Sequence, residues 1–409
     1  MIRILVLMVL VSLVSAASVA ETAGVITDPA TGAEIVRYSA LIPPPVRGQG
    51  LGLIVGLHGI GGNEKQTLGG LKIALADAGR SQAFMVLGLK SKGRGWETVD
   101  HEPIRQAVAW AIREHGVDPR RVYGLGYSHG AIRYGHFAAE AQDLFAGVVL
   151  WAGTCAKIPA DGSGVAYYVV HGESDPTVKP GNIRAARTTM RERGVRLVYR
   201  EIRGGDHGAP YSPAARAMWG NHIQWMDSLR NARQPLPEEV AAAIAEAEAA
   251  LDADGKLSSG VARRVFPVLM DNAGPAVDDF LLRCLQSDDR ALLKPATKLC
   301  TVRVYGDSVI AALAPLLDHK DKTVRQQALA ALVLASDFQV QPAETALCSW
   351  IAGIESARSQ FAALGVLDPI IAHQQGTVAL EPTVTELLKS LAAGSGPVAQ
   401  RAQGQLAGF

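Results

Sequence analysis

Short apolar runs recur along the first half of the chain, each bounded by Gly, Pro or charged residues. They cover residues 51–57 (LGLIVGL), 83–89, 122–125, 147–151, 165–170 and 195–202. Several are apolar throughout, too short for helices and without the polar alternation of a half-exposed strand. This predicts strands buried on both faces. Between them, residues 103–114, 131–141 and 183–193 space their apolar positions as helices do, and 212–229 reads as a closing helix. Residues 34–42 predict one early strand, ended by the prolines at 43–45. Alternation of strand and helix predicts βαβ units and a mostly parallel sheet.

The pattern changes after residue 230. Residues 231–238, with Pro235 and Pro237, read as a linker, and 238–251 is Ala/Glu-rich and strongly helix-forming. Beyond it, small or apolar residues recur at i, i+4 and i+8, as in Val277/Leu281/Leu285, Val324/Ala328/Leu332, Ala357/Phe361/Gly365 and Val398/Ala402/Leu406. These sets begin 33 to 47 residues apart, a period that suits stacked helix pairs. Residues 313–335 (LAPLLDHKDKTVRQQALAALVLA) resemble a HEAT repeat; an irregular helical bundle is the alternative.

At the N-terminus, Arg3 precedes an uncharged apolar run at 4–14, and Ser15-Ala16-Ala17 and Ser18-Val19-Ala20 each offer small residues for cleavage. The expected organisation is therefore a signal peptide at 1–20, a catalytic α/β domain at 21–232 and a helical, HEAT-like domain at 233–409. Secretion or delivery to a periplasm follows, with no stable membrane insertion. An uncleaved anchor is the competing reading, since 4–20 is barely long enough to span a bilayer.

The formal net charge is +1, with no dense Lys/Arg cluster, so nucleic acid is a poor partner. Cys155, Cys284, Cys300 and Cys348 carry no metal-ligand spacing. Export would permit a Cys284–Cys300 disulfide; buried free thiols are the alternative.

Gly126-Tyr127-Ser128-His129-Gly130 is the only G-x-S-x-G in the chain. It lies between an apolar strand and a helix, the setting of a nucleophile elbow. Serine needs a base, and His207, in the Gly-rich stretch after the last strand, suits that role. The base needs a carboxylate to orient it. Asp175, in the turn of His171-Gly172-Glu173-Ser174-Asp175-Pro176, is favoured over Glu173, and Asp206 adjoins His207 too closely to reach its ring. The order Ser–Asp–His along the chain is that of α/β-hydrolases. The backbone N–H groups of His129 and Ile60 are the expected oxyanion donors, with Gly61 as the alternative to Ile60. His58 is expected to pack and bond within its loop. Trp96 and Tyr127 are expected to line the substrate groove, with ordinary half-burial the competing reading for Trp96.

The segments LIVGLHGIGGNE, VDPRRVYGLGYSHGA, VVHGESDPTV and GGDHG resemble the α/β-hydrolase superfamily over residues 34–230. They are most similar to small secreted esterases of the polyhydroxybutyrate-depolymerase, feruloyl-esterase and dienelactone-hydrolase-like group. Two departures matter: Ser128-His129-Gly130 replaces the Ser-Ala-Gly common in depolymerases, and no dienelactone-type Cys nucleophile is present. The resemblance implies ester hydrolysis through an acyl-enzyme, with no metal or organic cofactor. Residues 151–164 leave no room for a large lid, which suggests an open site for small, bulky or polymer-borne esters. A serine peptidase or amidase of the prolyl-oligopeptidase type is one alternative. A non-catalytic scaffold that binds a protein partner through its helical half is another.

Overall fold

The computed structural model describes residues 19–44, 50–162, 164–216, 218–374, 376–378 and 382–407. Most of the expected signal peptide, residues 1–18, lies outside them. Among the described residues no helix is long and apolar enough to cross a membrane.

The strands are β1 (Ala20–Thr27), β2 (Glu34–Ile42), β3 (Leu51–Leu57), β4 (Phe84–Lys90), β5 (Val117–Tyr127), β6 (Gly147–Trp151), β7 (Ala166–Gly172) and β8 (Leu197–Ile202). They form one sheet in the order β1-β2-β4-β3-β5-β6-β7-β8. The β1–β2 and β2–β4 pairs are antiparallel, and every pair from β4 to β8 is parallel. This is the sheet of an α/β-hydrolase. The apolar runs read from the sequence became its central strands, as burial on both faces requires.

Alternate side chains of each strand serve opposite layers. Leu53, Val55, Val122, Val148, Leu150, Tyr167 and Val169 pack against α2 (His101–His115), α3 (His129–Glu140) and α4 (Pro180–Glu192). Ile54, Val86, Leu125, Val149, Tyr168 and Val198 face the other way. They share a core with α1 (Leu68–Asp77), α6 (Trp219–Ser228) and the helices that follow residue 237. The expected closing helix is divided into α5 (Pro213–Arg216) and α6.

In the α/β half, one α-helix and one strand escaped the sequence reading. α1 begins Leu68-Gly69-Gly70, and two glycines in a first turn conceal a helix from any propensity argument. β1 lies where the expected signal peptide ends.

The second half is helical from Glu238–Ala249 to Pro397–Leu406. It covers the free edge of β8. The Gln339 side chain takes the Tyr199 N–H (2.6 Å) and donates to the Tyr199 carbonyl (3.2 Å). Val378 donates its N–H to the Glu201 carbonyl (2.7 Å), and Arg203 donates to the Gly376 carbonyl (2.8 Å). An edge that would otherwise expose unpaired backbone is thereby satisfied from within the chain. A buried polar knot seals the same contact. Asp337 accepts from Asn221 (2.6 Å) and His373 (3.0 Å), and its carbonyl accepts from Arg200 (2.7 Å). Elsewhere Arg120 bonds Asn272 and the Ala273 carbonyl.

Cys155, Cys284, Cys300 and Cys348 are all free and buried. The Cys284–Cys300 pairing is therefore not formed; both thiols sit in apolar surroundings that raise their pKa.

Candidate active site

The carboxyl ends of β5, β7 and β8 bring three distant side chains to one rim of the sheet. Ser128 ends β5 and opens α3 with φ 52° and ψ −114°. A non-glycine residue adopts such a backbone only where its surroundings impose it. Here they do. A Cβ on Gly126 would lie 2.4 Å from the Gly130 carbonyl carbon, and one on Gly130 would lie 2.3 Å from the Leu57 oxygen. The two glycines of the motif are thus required by close backbone approach. The Ser128 N–H is tied to the Trp151 carbonyl on β6 (2.8 Å).

Ser128 Oγ stands 2.8 Å from His207 Nε2, and His207 Nδ1 stands 2.8 Å from Asp175 Oδ2. Asp175 is fully enclosed, and its other oxygen accepts the N–H groups of Thr177 (2.8 Å) and Val178 (2.9 Å). Burial raises its pKa, but the His207 hydrogen bond and those two N–H groups outweigh burial and hold the carboxyl below its usual range. It is therefore a carboxylate at neutral pH, as an acceptor for an imidazole N–H must be.

The rejected candidates have other partners. Glu173 accepts the Gly204 N–H (2.8 Å) and so ties the turn that carries Asp175 to the loop that carries His207. Asp206 accepts the Gly208 N–H (2.8 Å) within its own loop. His58 bonds the Gly59 carbonyl through Nδ1 (2.7 Å) and takes the Ser91 N–H on Nε2 (3.2 Å).

The loop after β3 already commits most of its N–H donors. Gly59 donates to Gln66 (2.8 Å), Gly61 to the Arg94 carbonyl (2.6 Å) and Gly62 to the Gly59 carbonyl (3.0 Å). Gly61, the alternative oxyanion donor, is thus occupied. Among the described residues no acceptor takes the Ile60 N–H, and the Ile60 side chain is 64% exposed. His129 begins α3, where the first N–H groups of a helix have no internal partner.

The two expected substrate residues separate. Tyr127 is half-buried beside His207, with ring centroids 5.5 Å apart, and its hydroxyl reaches the His207 carbonyl (3.3 Å). Tyr211 stacks edge-on against it at 5.0 Å and is partly exposed. Trp96 is only 1% exposed. Its indole lies within the fold with its N–H on the His58 carbonyl (2.9 Å). A ring so enclosed cannot line the groove; the sequence showed a Trp in a polar loop but not the packing above it.

Sequence reasoning also missed His171. It is completely buried, donates from Nε2 to the Val178 carbonyl (2.7 Å) and lies 3.5 Å from Asp175. Burial lowers its pKa, so it stays neutral behind the acid. Its place at the end of β7, four residues before Asp175, was the available signal.

Among the described residues, the connection from β6 to β7 carries no helix. No hydrogen bond from the helical half, among the described residues, ends on Ile60, Ser128 or His207. That half takes the Arg203 N–H on the Gly376 carbonyl, four positions before the histidine.

No family model matches the chain. An acetylxylan esterase of Coprinopsis cinerea is 30% identical over 116 residues, covering 25% of this chain and 31% of that protein. A putative esterase, NocK, of Nocardia uniformis subsp. tsuyamanensis is 31% identical over 157 residues, covering 34% of this chain and 44% of that protein. The chain thus spans less than half the length of these curated relatives. Among solved structures, a thermostable esterase aligns with TM-score 0.42 and 22% identity, over 51% of this chain and 63% of that one. Fluorophosphonate-binding serine hydrolase F of Staphylococcus aureus aligns with TM-score 0.41 and 13% identity, over 51% of this chain and 98% of that one. By its own strand order the chain has the α/β-hydrolase fold, and in sequence it is similar to esterases.

Proposed function

We propose that this chain is an exported serine hydrolase that cleaves carboxylic esters, small or polymer-borne, through an acyl-enzyme. The observation that carries the reading is the pair of 2.8 Å hydrogen bonds that links Ser128, His207 and Asp175. Ser128 Oγ attacks the ester carbonyl carbon while His207 Nε2 takes its proton. Asp175 holds the ring with Nδ1–H toward itself and stabilises the imidazolium. The carbonyl oxygen becomes an oxyanion, with the N–H groups of Ile60 and His129 as its donors. Such preorganised donors commonly contribute the largest share of the rate. The tetrahedral adduct collapses, the C–O bond to the alcohol breaks, and His207 returns its proton to the leaving oxygen. Water then repeats the sequence and releases the carboxylic acid.

Support for an ester rather than an amide comes from the esterases among the relatives. The short β6–β7 connection and the exposed Ile60 and Tyr211 favour an open site that admits bulky or polymer-borne esters. Export rests on the pattern of residues 1–20. The domain division at 232 and a HEAT-like, partner-binding role for the helical half stay part of the proposal.

The test is hydrolysis of p-nitrophenyl acetate beside an aminoacyl p-nitroanilide. The wild-type chain should cleave the ester and Ser128→Ala should not. Equal activity of Ser128→Ala sinks the assignment, and preferential cleavage of the anilide replaces esterase by peptidase.

A further inference from the structure

Trp96 commits every one of its polar groups to the two elements that flank Ser128. Its indole N–H bonds the His58 carbonyl (2.9 Å), at the root of the loop that carries Ile60. Its backbone N–H bonds His129 Nδ1 (2.8 Å), beside the nucleophile. Its carbonyl accepts Arg133 Nη2 (3.0 Å), one turn further along α3. The neighbouring residues continue the clasp. The Arg94 carbonyl takes the Gly61 N–H (2.6 Å), and the Ser91 N–H bonds His58 (3.2 Å). Gly95 lies so close that a Cβ there would fall 2.5 Å from His129 Nδ1.

We propose that Trp96 is a positioning residue that fixes the spacing between the Ile60 and His129 N–H groups, and so shapes the oxyanion site. The inference rests on the esterase reading. Gly59, Gly61 and Gly62 leave the tip of the loop conformationally free, so bonds from outside must hold it. Two of them come from Arg94 and Trp96. An oxyanion donor is effective only within a few tenths of an ångström of 2.7–3.1 Å from the oxygen, and a shift of about 1 Å can cost about a hundredfold in rate. A residue that bonds both sides of the gap directly sets that distance.

The experiment pairs Trp96→Phe, which keeps a ring but removes the indole N–H, with Arg133→Met, a change at a half-buried position that frees the Trp96 carbonyl. Two readouts are taken on the full chain. The first is kcat and KM for p-nitrophenyl acetate, per site titrated by fluorophosphonate. The second is amide hydrogen exchange over residues 58–62 against β6. In Trp96→Phe, kcat per titrated site should fall about ten- to a hundredfold with KM within about twofold. Exchange in 58–62 should rise while β6 is unchanged. Arg133→Met should move both readouts the same way by a smaller factor. If Trp96→Phe lowers only melting temperature or the number of titratable sites, Trp96 is a packing residue and the proposal fails. If the wild type neither hydrolyses ester nor titrates, the esterase reading falls, and the exchange arm still decides whether the clasp exists.

Discussion

Removing the Asp337 carboxylate should destabilise the protein by about 3–5 kcal/mol, because it leaves a buried cation without its partner. Arg200, on β8, is 1% exposed and lies 3.8 Å from Asp337 Oδ1. The same carboxylate accepts from Asn221 (2.6 Å) and His373 (3.0 Å). In Asp337→Ala both hydrogen bonds to a charged acceptor are lost, at about 1.5–3 kcal/mol each before relaxation. The guanidinium meanwhile keeps its desolvation cost. Part of the loss is recovered because the Asp337 carbonyl still takes Arg200 Nη2. Urea unfolding, followed by tryptophan fluorescence, reads the effect through Trp219 and Trp225, which share α6 with Asn221. Arg200→Met/Asp337→Leu should recover most of the stability, since replacing a whole buried pair by apolar groups is often nearly neutral. A loss under about 1 kcal/mol in Asp337→Ala, or a double variant worse than the single one, would refute the reasoning.

Gly130→Ala should lower stability by about 1–3 kcal/mol, since its Cβ would meet the Leu57 oxygen at 2.3 Å and the His58 oxygen at 2.8 Å. Calorimetry and ester turnover check it, and turnover should fall more than about a hundredfold because the elbow and the β3 loop must part. Burial raises the Asp278 pKa to about 6, with Arg196 and the Gly306 N–H opposing. The folded chain then binds this proton more tightly than the unfolded one, so stability is lost as pH rises from about 4 through about 6. Asp278→Asn should therefore raise the melting temperature at pH 8 by an amount equivalent to about 3 kcal/mol and leave it nearly unchanged at low pH; an equal gain at both values contradicts this. Burial pushes Cys155, Cys284 and Cys348 up to about 12. A thiol reagent should find almost no reactive thiol in the native protein and four after denaturation without reductant; two would mean a disulfide.

The α/β half was legible because its physics is local. A run such as residues 147–151 has no polar position to face water and must be buried on both sides. The elbow glycines and the order of Ser128, Asp175 and His207 follow from what an acyl-transfer site needs, so pattern sufficed to nominate them. Trp96 was misplaced because its burial depends on contacts with His58 and His129, more than thirty residues away. The clasp of Gln339 and Val378 on β8 was equally hidden, since no local pattern marks which residues will satisfy a distant strand edge. α1 was lost to its glycines, which packing overrides.

The most direct test of the account is covalent labelling of the intact chain with a fluorophosphonate, located by peptide mass spectrometry. The adduct should appear on Ser128 in the wild type, be slowed by orders of magnitude in His207→Gln, and be absent in Ser128→Ala. An adduct on another serine, or His207→Gln labelled as fast as the wild type, would mean that Ser128 is not activated by His207.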